Sequence, residues 1–437
     1  MNYLLTSYTS YLKKRFFSAL VIIGLGISGC DMLNVNNPNS LVEEDLSNPA
    51  AASSIANGAE ATATNALGTL LAPYSTVTDE VTWIGTRDAW EQLDQGEISD
   101  PINEFADGAF RSVSQARWTA DNAIFLLEGF REEGTLESTL PLLRSYAYGA
   151  IIYLAIADAF DDFVISDRQD ASPPIGKDNM QQLHDTAISY LNKGLALADK
   201  GSEWEIRLLA LRARAHFSRA LWEKLNPEVD TLDPLVQSQD AVDDAEAALA
   251  GIGAGNDWNY QLETTPDTPS NPMAFQINER LELRFGDAYI QPTQDGTKVD
   301  SIRLEDPIDG IPAPYLVATI NDFVAQNQYA DITVISAREL YLIIAEDALA
   351  RNNTQDFEDA INALRSLDNL SDYTNQIPAP DLLKHSRRVN LFIQGRRLAD
   401  LYRFGETSPE WTPNRVTQGA FFPITSTEIR ANPHVDF

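Results

Sequence analysis

Cysteine is almost absent: one thiol, Cys30, serves 437 residues. It has no internal partner for a disulfide and no second thiol with which to share a metal. Histidine is nearly as scarce, with four residues at 184, 216, 385 and 434, and none falls into HExxH or another ligand spacing. The chain lacks a Gly-x-Ser-x-Gly elbow, a Walker loop and a GxGxxG turn. Basic charge is short as well: 32 Lys and Arg against 64 Asp and Glu leave a net −32. That sign repels phosphate backbones, which excludes nucleic acid as a partner. It also excludes adhesion to anionic lipid through a basic patch. Carboxylate pairs can always be picked from 64 acids, so they carry no weight for glycoside hydrolysis. The acidic stretch "QDGTKVDSIRLEDPIDG" lacks the order of an EF-hand loop and reads as solvated. The expectation is no catalytic residue, no cofactor and no metal site.

The surroundings of the lone thiol say more. Lys13, Lys14 and Arg15 precede an apolar run over residues 16–27, followed by Ser28 and Gly29. Charged start, apolar middle and small residues are the layout of a secretory signal. The run is about a dozen residues, whereas a membrane-spanning helix needs about 20. Ile27-Ser28-Gly29-Cys30 resembles the bacterial lipobox. That resemblance implies a signal peptide over 1–29 and a lipidated Cys30 at the mature N-terminus. One acyl chain, at about 0.8 kcal/mol per buried methylene, anchors marginally, while two or three hold firmly. Residues 1–29 carry three bases and no acid, so the remainder stands at −35. Residues 30–50, rich in Asn and Pro, read as an extended lipidated leader.

From residue 51 the pattern turns helical. "RSYAYGAIIYLAIADAF" is apolar nearly all round and predicts a buried helix. Residues 335–367 predict two helices joined by "RNNTQ". The first buries Leu340, Ile343, Ile344 and Ala348; the second buries Phe357, Ala360, Ile361 and Leu364. Asn352 and Asn353 suit the first helix's end, and Thr354 or Asp356 the next N-cap. The unit approaches the ~34-residue tetratricopeptide (TPR) repeat. Similar pieces recur at 203–252 and in "NMQQLHDTAISYLNKGLALADKG". The fold class expected is mainly α, TPR-like helical hairpins in a superhelical scaffold, with helices at about 140–252 and 335–405. Between them, residues 253–333 are dense in Pro and Gly and carry Trp258, Tyr260, Phe275, Tyr289 and Tyr315. A long irregular segment with that many aromatics predicts an ordered, loop-rich insert that builds a binding surface.

Several segments in order then resemble the SusD/RagB family: the lipobox, "NPNSLVEEDLSNPAA", "IADAFDDFVIS", "ARELYLIIAEDALARNN…AINALRSL", "NLFIQGRRLADLYRFG" and the closing "FFPITSTEIRANPHV". The resemblance runs from residue 30 to 437, with 51–437 as one SusD/RagB-like domain. It implies a surface-exposed outer-membrane lipoprotein without catalytic activity. Such a protein binds a nutrient, an oligosaccharide in many members and a peptide in others. It delivers that nutrient to a TonB-dependent SusC-like transporter. A TPR-like assembly lipoprotein of the outer membrane is the other class these features allow.

Sugars are recognised by stacking a ring's C–H face on an aromatic side chain while polar groups bond the hydroxyls. "TDEVTWIGTRDAWEQLDQGE" offers Trp83 and Trp90 with Arg87 and Asp88, and the insert offers Trp258 and Tyr260. These six are the candidate ligand residues. Trp118, Trp204 and Trp222 sit in helical patterns and read as packing. Arg397 and Asp400, three apart, read with Arg396 as a structural charge cluster.

Overall fold

The computed structural model describes residues 48–167 and 170–435. The expected signal segment, Cys30 and the leader up to residue 47 lie outside the described residues. Residues 48–51 belong to a unit of their own, of which one 3-10 turn, Pro49–Ala51, is described. Everything below concerns the body from Ala52 onward.

Its first six helices are α1 (Ala52–Thr76), α2 (Asp88–Asp94), α3 (Glu104–Glu132), α4 (Leu140–Ala159), α5 (Gln181–Leu195) and α6 (Glu203–Leu225). They are followed by α7 (Gln239–Ile252), α8 (Pro314–Ala325), α9 (Ala337–Ala350), α10 (Thr354–Ser366), α11 (Ala379–Asn390), α12 (Arg397–Arg403) and α13 (Ser426–Ala431). Long helices pack on their successors: α3 on α4, α4 on α5, α5 on α6, α6 on α7, and α9 on both α7 and α10. The result is a stack of TPR-like hairpins. Among the described residues, strands are short and form three two-stranded antiparallel ribbons, β1 (Val81–Trp83) with β3 (Leu283–Phe285), β2 (Asn259–Leu262) with β6 (Ile332–Ser336), and β4 (Ile290–Pro292) with β5 (Val299–Ile302).

Small residues set the tightest seam. Ala56, Ala59, Ala63 and Ala66 recur every three or four positions on α1 and are fully buried against α3, which presents Ala109, Ala116 and Ala120. Alanine at helical spacing lets two helix surfaces approach closely, and every added methylene would have to be accommodated. Helix α3 starts where the Asn103 side chain accepts the N–H groups of Phe105 and Ala106. Helix α4 is long and apolar enough to cross a membrane, yet 83% of its most apolar window is buried. It is the central core helix, touched by α1, α3, α5 and α6.

The α9–α10 hairpin buries Leu340, Ile343, Ala348, Phe357, Ala360, Ile361 and Leu364, and leaves Ile344 half-buried. Asn352 takes a left-handed φ of 59°, and Asn353, rather than Thr354 or Asp356, caps α10 by accepting the Asp356 N–H at 3.3 Å.

One charge expectation is corrected. Arg397 does not pair with Asp400; its Nε and Nη2 donate to Asp79, at 2.7 and 2.9 Å, from 318 positions away. Asp400 instead accepts from Arg403 at its i+3 position and from Arg387. Helix spacing was right about the separation and wrong about the residue, because tertiary packing turned Arg397 toward the end of α1. More bonds close the same seam: the Trp411 indole donates to the Val77 carbonyl at 2.7 Å, and the Ile393 N–H donates to Glu80 at 2.8 Å. Thr427 on α13 donates to Asp107 on α3.

Candidate functional site

The first group of candidate residues is built at the edge of the β1–β3 ribbon. Trp83 lies opposite Leu283, where the chain leaves the strand. The turn that follows is held by one carboxylate: Glu282 accepts the Thr86 and Arg87 N–H groups at 2.9 and 3.2 Å and the Thr86 hydroxyl at 3.3 Å. Burial pushes the Glu282 carboxyl up, but these bonds outweigh it and hold it below the ordinary range. No side chain fits at Gly85, where a Cβ would lie 2.1 Å from Glu282 Oε2. Gly85→Ala is therefore expected to break this latch and cost about 1–3 kcal/mol, the usual range for overpacking. A lowered urea midpoint together with a changed Trp83 environment would report it, and an unchanged midpoint would refute the latch.

Within this group the side chains part company. Trp83 is half-buried, with its indole N–H shielded and without a partner. Arg87 is half-buried, pairs with Glu104 at 2.6 Å and lies 4.7 Å from the centre of the Phe105 ring. Asp88 is exposed. Trp90 is corrected: it is 1% exposed and stacks on Phe105 with ring centres 3.5 Å apart. The polar neighbours that suggested a loop are the outer face of α2, whose inner face is Trp90, Leu93 and Asp94 at spacings of three and four. A sugar cannot reach Trp90.

The second group lies where β2 passes the start of α6. The Trp258 indole donates to Glu203 at 3.1 Å, and Glu203 also accepts from Arg207 at 3.0 Å. The Arg207 guanidinium lies 4.9 Å from the Trp204 ring centre and 4.6 Å from that of Tyr260. Trp258 and Trp204 are half-buried, but Tyr260 is 4% exposed and is the second correction. It forms the floor of this cluster rather than its surface. Trp204, read from sequence as packing, belongs with Trp258. Among the described residues, no hydrogen bond or ring contact joins the Trp83 group to the Trp258 group.

Alternation along β2 reveals a feature that aromatic counting misses. Tyr260 and Leu262 point inward, so Asn259 and Gln261 face the other way. They line a cleft of about 220 Å³ with Asn271, Tyr315, Thr333 and Gln394. Amides and hydroxyls both donate and accept, as a polyol requires. Gln394, which lines both this cleft and a neighbouring cavity, spends its Nε2 on the Asn390 carbonyl at 3.1 Å, and its Oε1 is enclosed. The cleft's residues come from the insert, β6 and the segment before α12, too far apart in sequence to form a motif. No group of three or more His, Cys, Asp or Glu among the described residues could hold a metal ion.

No family model matches this chain, and no curated protein matches it in sequence. Solved structures do match. A SusD-like carbohydrate binding protein from Bacteroides vulgatus superposes with a TM-score of 0.60 at 14% identity, over 89% of this chain and 97% of the other. A SusD superfamily protein from Bacteroides thetaiotaomicron gives 0.64 at 14% identity, over 89% and 99%. One from Parabacteroides distasonis gives 0.61 at 13% identity, over 91% and 99%. The fold of this chain is the SusD-like fold.

Proposed function

We propose that this chain is a nutrient-binding lipoprotein of the outer membrane, tethered through Cys30, that takes an oligosaccharide and delivers it to a SusC-like TonB-dependent transporter. The ligand enters the cleft of the insert, and its hydroxyls bond Asn259 and Gln261. Trp258 and Trp204, around the Arg207–Glu203 pair, offer the neighbouring aromatic surface, and Trp83 with Arg87 and Asp88 a second contact. The protein binds and hands on; it performs no chemistry on its cargo.

The observation that carries this reading is the cleft lined by Asn259, Gln261, Asn271, Tyr315 and Thr333, whose amides and hydroxyls both donate and accept as a polyol requires. The SusD-like fold, shared with a protein described as carbohydrate binding, supports the same ligand class. The acid-rich surface favours a neutral glycan over an acidic one, which would be repelled.

The test is a glycan array on the purified chain followed by calorimetry. Gln261→Ala and Asn259→Ala should each weaken the best neutral glycan about tenfold, the factor for one well-placed hydrogen bond. Trp258→Ala should also weaken it. Binding of peptides but no glycan would overturn the ligand class, and unchanged affinity in both cleft variants would overturn the site.

A further inference from the structure

Among the described residues, six other than glycine adopt a left-handed backbone. Four are asparagine, at 327, 352, 369 and 375, a residue whose short polar side chain tolerates that conformation. The other two are Leu281, at φ 55°, and Ile393, at φ 53°. Leu281 precedes Glu282, the carboxylate that latches the Trp83 turn. Ile393 is the costlier case, because a β-branched side chain crowds its own backbone there.

Ile393 lies in the turn between α11 and α12, and its surroundings fix it. Its N–H donates to Glu80 Oε1 at 2.8 Å from 313 positions away. Its neighbour Phe392 is 1% exposed and packs on Phe285 and Tyr289, with ring centres 5.3 and 4.7 Å apart. Strained residues persist where packing over-determines them, and they gather at ligand clamps. Ile393 is the only one of the six that lines the insert cleft. The cleft's other aliphatic side chains larger than alanine, Leu71, Met273 and Ile332, are buried, whereas Ile393 is half-buried and keeps open surface.

We propose that Ile393 is a ligand contact of the insert cleft: its branched side chain meets the C–H face of a pyranose whose hydroxyls bond Asn259 and Gln261. The contact rests on the glycan reading of that cleft. A pyranose carries hydroxyls around its edge and C–H groups across its faces, so its site needs an apolar wall beside the amides. The same contact accounts for the strain. The four asparagines stand outside the cleft, where the backbone alone is at stake, and isoleucine is kept where the side chain opens on it.

Maltohexaose, cellohexaose and xylohexaose are titrated by calorimetry into the full chain and into three variants, with circular dichroism confirming that each folds. For the hexaose that binds best, Ile393→Val should weaken binding by no more than about fourfold, the equivalent of one buried methylene. Ile393→Ala and Ile393→Gly should each weaken it by at least about tenfold. Urea midpoints read the strain without any ligand. Ile393→Gly should be more stable than Ile393→Ala, the reverse of the usual order, because glycine relieves a left-handed φ and alanine does not. Wild-type affinity in Ile393→Ala would overturn the contact and leave the glycan reading standing, since Gln261→Ala tests that reading on the same hexaose. A more stable Ile393→Ala would show that no strain is held at 393 and remove the reason for the contact. No binding of any hexaose would overturn the contact and the glycan reading together.

Discussion

Glu346→Ala is expected to lower the stability of this protein by about 3–5 kcal/mol, the range for removing one partner of a buried ion pair. Glu346 and Arg403 are both fully buried and paired with each other, and Glu346 also holds Arg387 at 3.2 Å. The Val236 N–H donates to the same carboxylate at 2.9 Å. Asp400 completes the group, accepting from Arg403 at 2.8 Å and from Arg387 at 2.9 Å. Burial pushes the Asp400 carboxyl up, but the two guanidinium groups outweigh it and hold it below the ordinary range. With Glu346 gone, two buried cations, Arg403 and Arg387, share one carboxylate, that of Asp400. The comparison is Glu97→Ala, whose pair with Arg415 is well exposed on both sides and should contribute no more than about 1 kcal/mol. Urea midpoints decide it: equal losses in the two variants would show that the buried network contributes nothing special.

The second large effect is on pH. Glu80 is 1% exposed, and burial first, then the neighbouring Asp79 charge, push its carboxyl from 4.5 up to about 8. The folded state therefore holds this proton more tightly than the unfolded chain. The stability it contributes is fully present below about pH 4.5, shrinks as pH rises, and is gone above pH 8, at roughly 1.4 kcal/mol per unit within that window. Asp94, pushed by burial from 3.8 to about 7, adds a slope of the same sign. Asp79 acts at the other end. Burial raises it, Arg397 more than compensates, and its folded value falls below 3.8, so its contribution is lost only in acid. Urea midpoints should therefore fall between pH 5 and 8, and Glu80→Gln should flatten most of that fall. A flat wild-type profile, or an unchanged slope in Glu80→Gln, would show that Glu80 is ionised in the folded protein.

Local sequence carried the helices well because periodicity is a local property. The α9–α10 hairpin could be read within a residue or two, since it buries a face repeating every three or four positions, and the all-apolar α4 could be read to its end but four residues short at its start. The same logic, applied one step further, would have rescued Trp90. Trp90, Leu93 and Asp94 already have inward helical spacing, and the polar residues between them were the other side of a two-turn helix. Tyr260 was harder, because a four-residue strand shows too few alternations to say which face is covered. The binding features were the least legible. Asn259, Gln261 and Gln394 meet only because β2 pairs with β6 and the segment before α12 returns beside them. His184 was noted only for lacking a metal pattern, yet its partner Asp158 lies 26 positions earlier, in "IADAF". Charge pairing failed similarly: spacing offered Asp400 to Arg397, and the fold supplied Asp79.

That last pairing has a consequence for biosynthesis. The end of α1 is sealed by residues 393, 397 and 411, so a nascent chain interrupted before them leaves Asp79 and Glu80 buried beside nothing or not buried at all. Hairpins such as α4–α5 can dock as soon as they emerge, whereas the amino-terminal helix stays unsealed until nearly the whole polypeptide has been made. Premature termination within the last tenth of the chain is thus a lesion of the first helix as much as of the last.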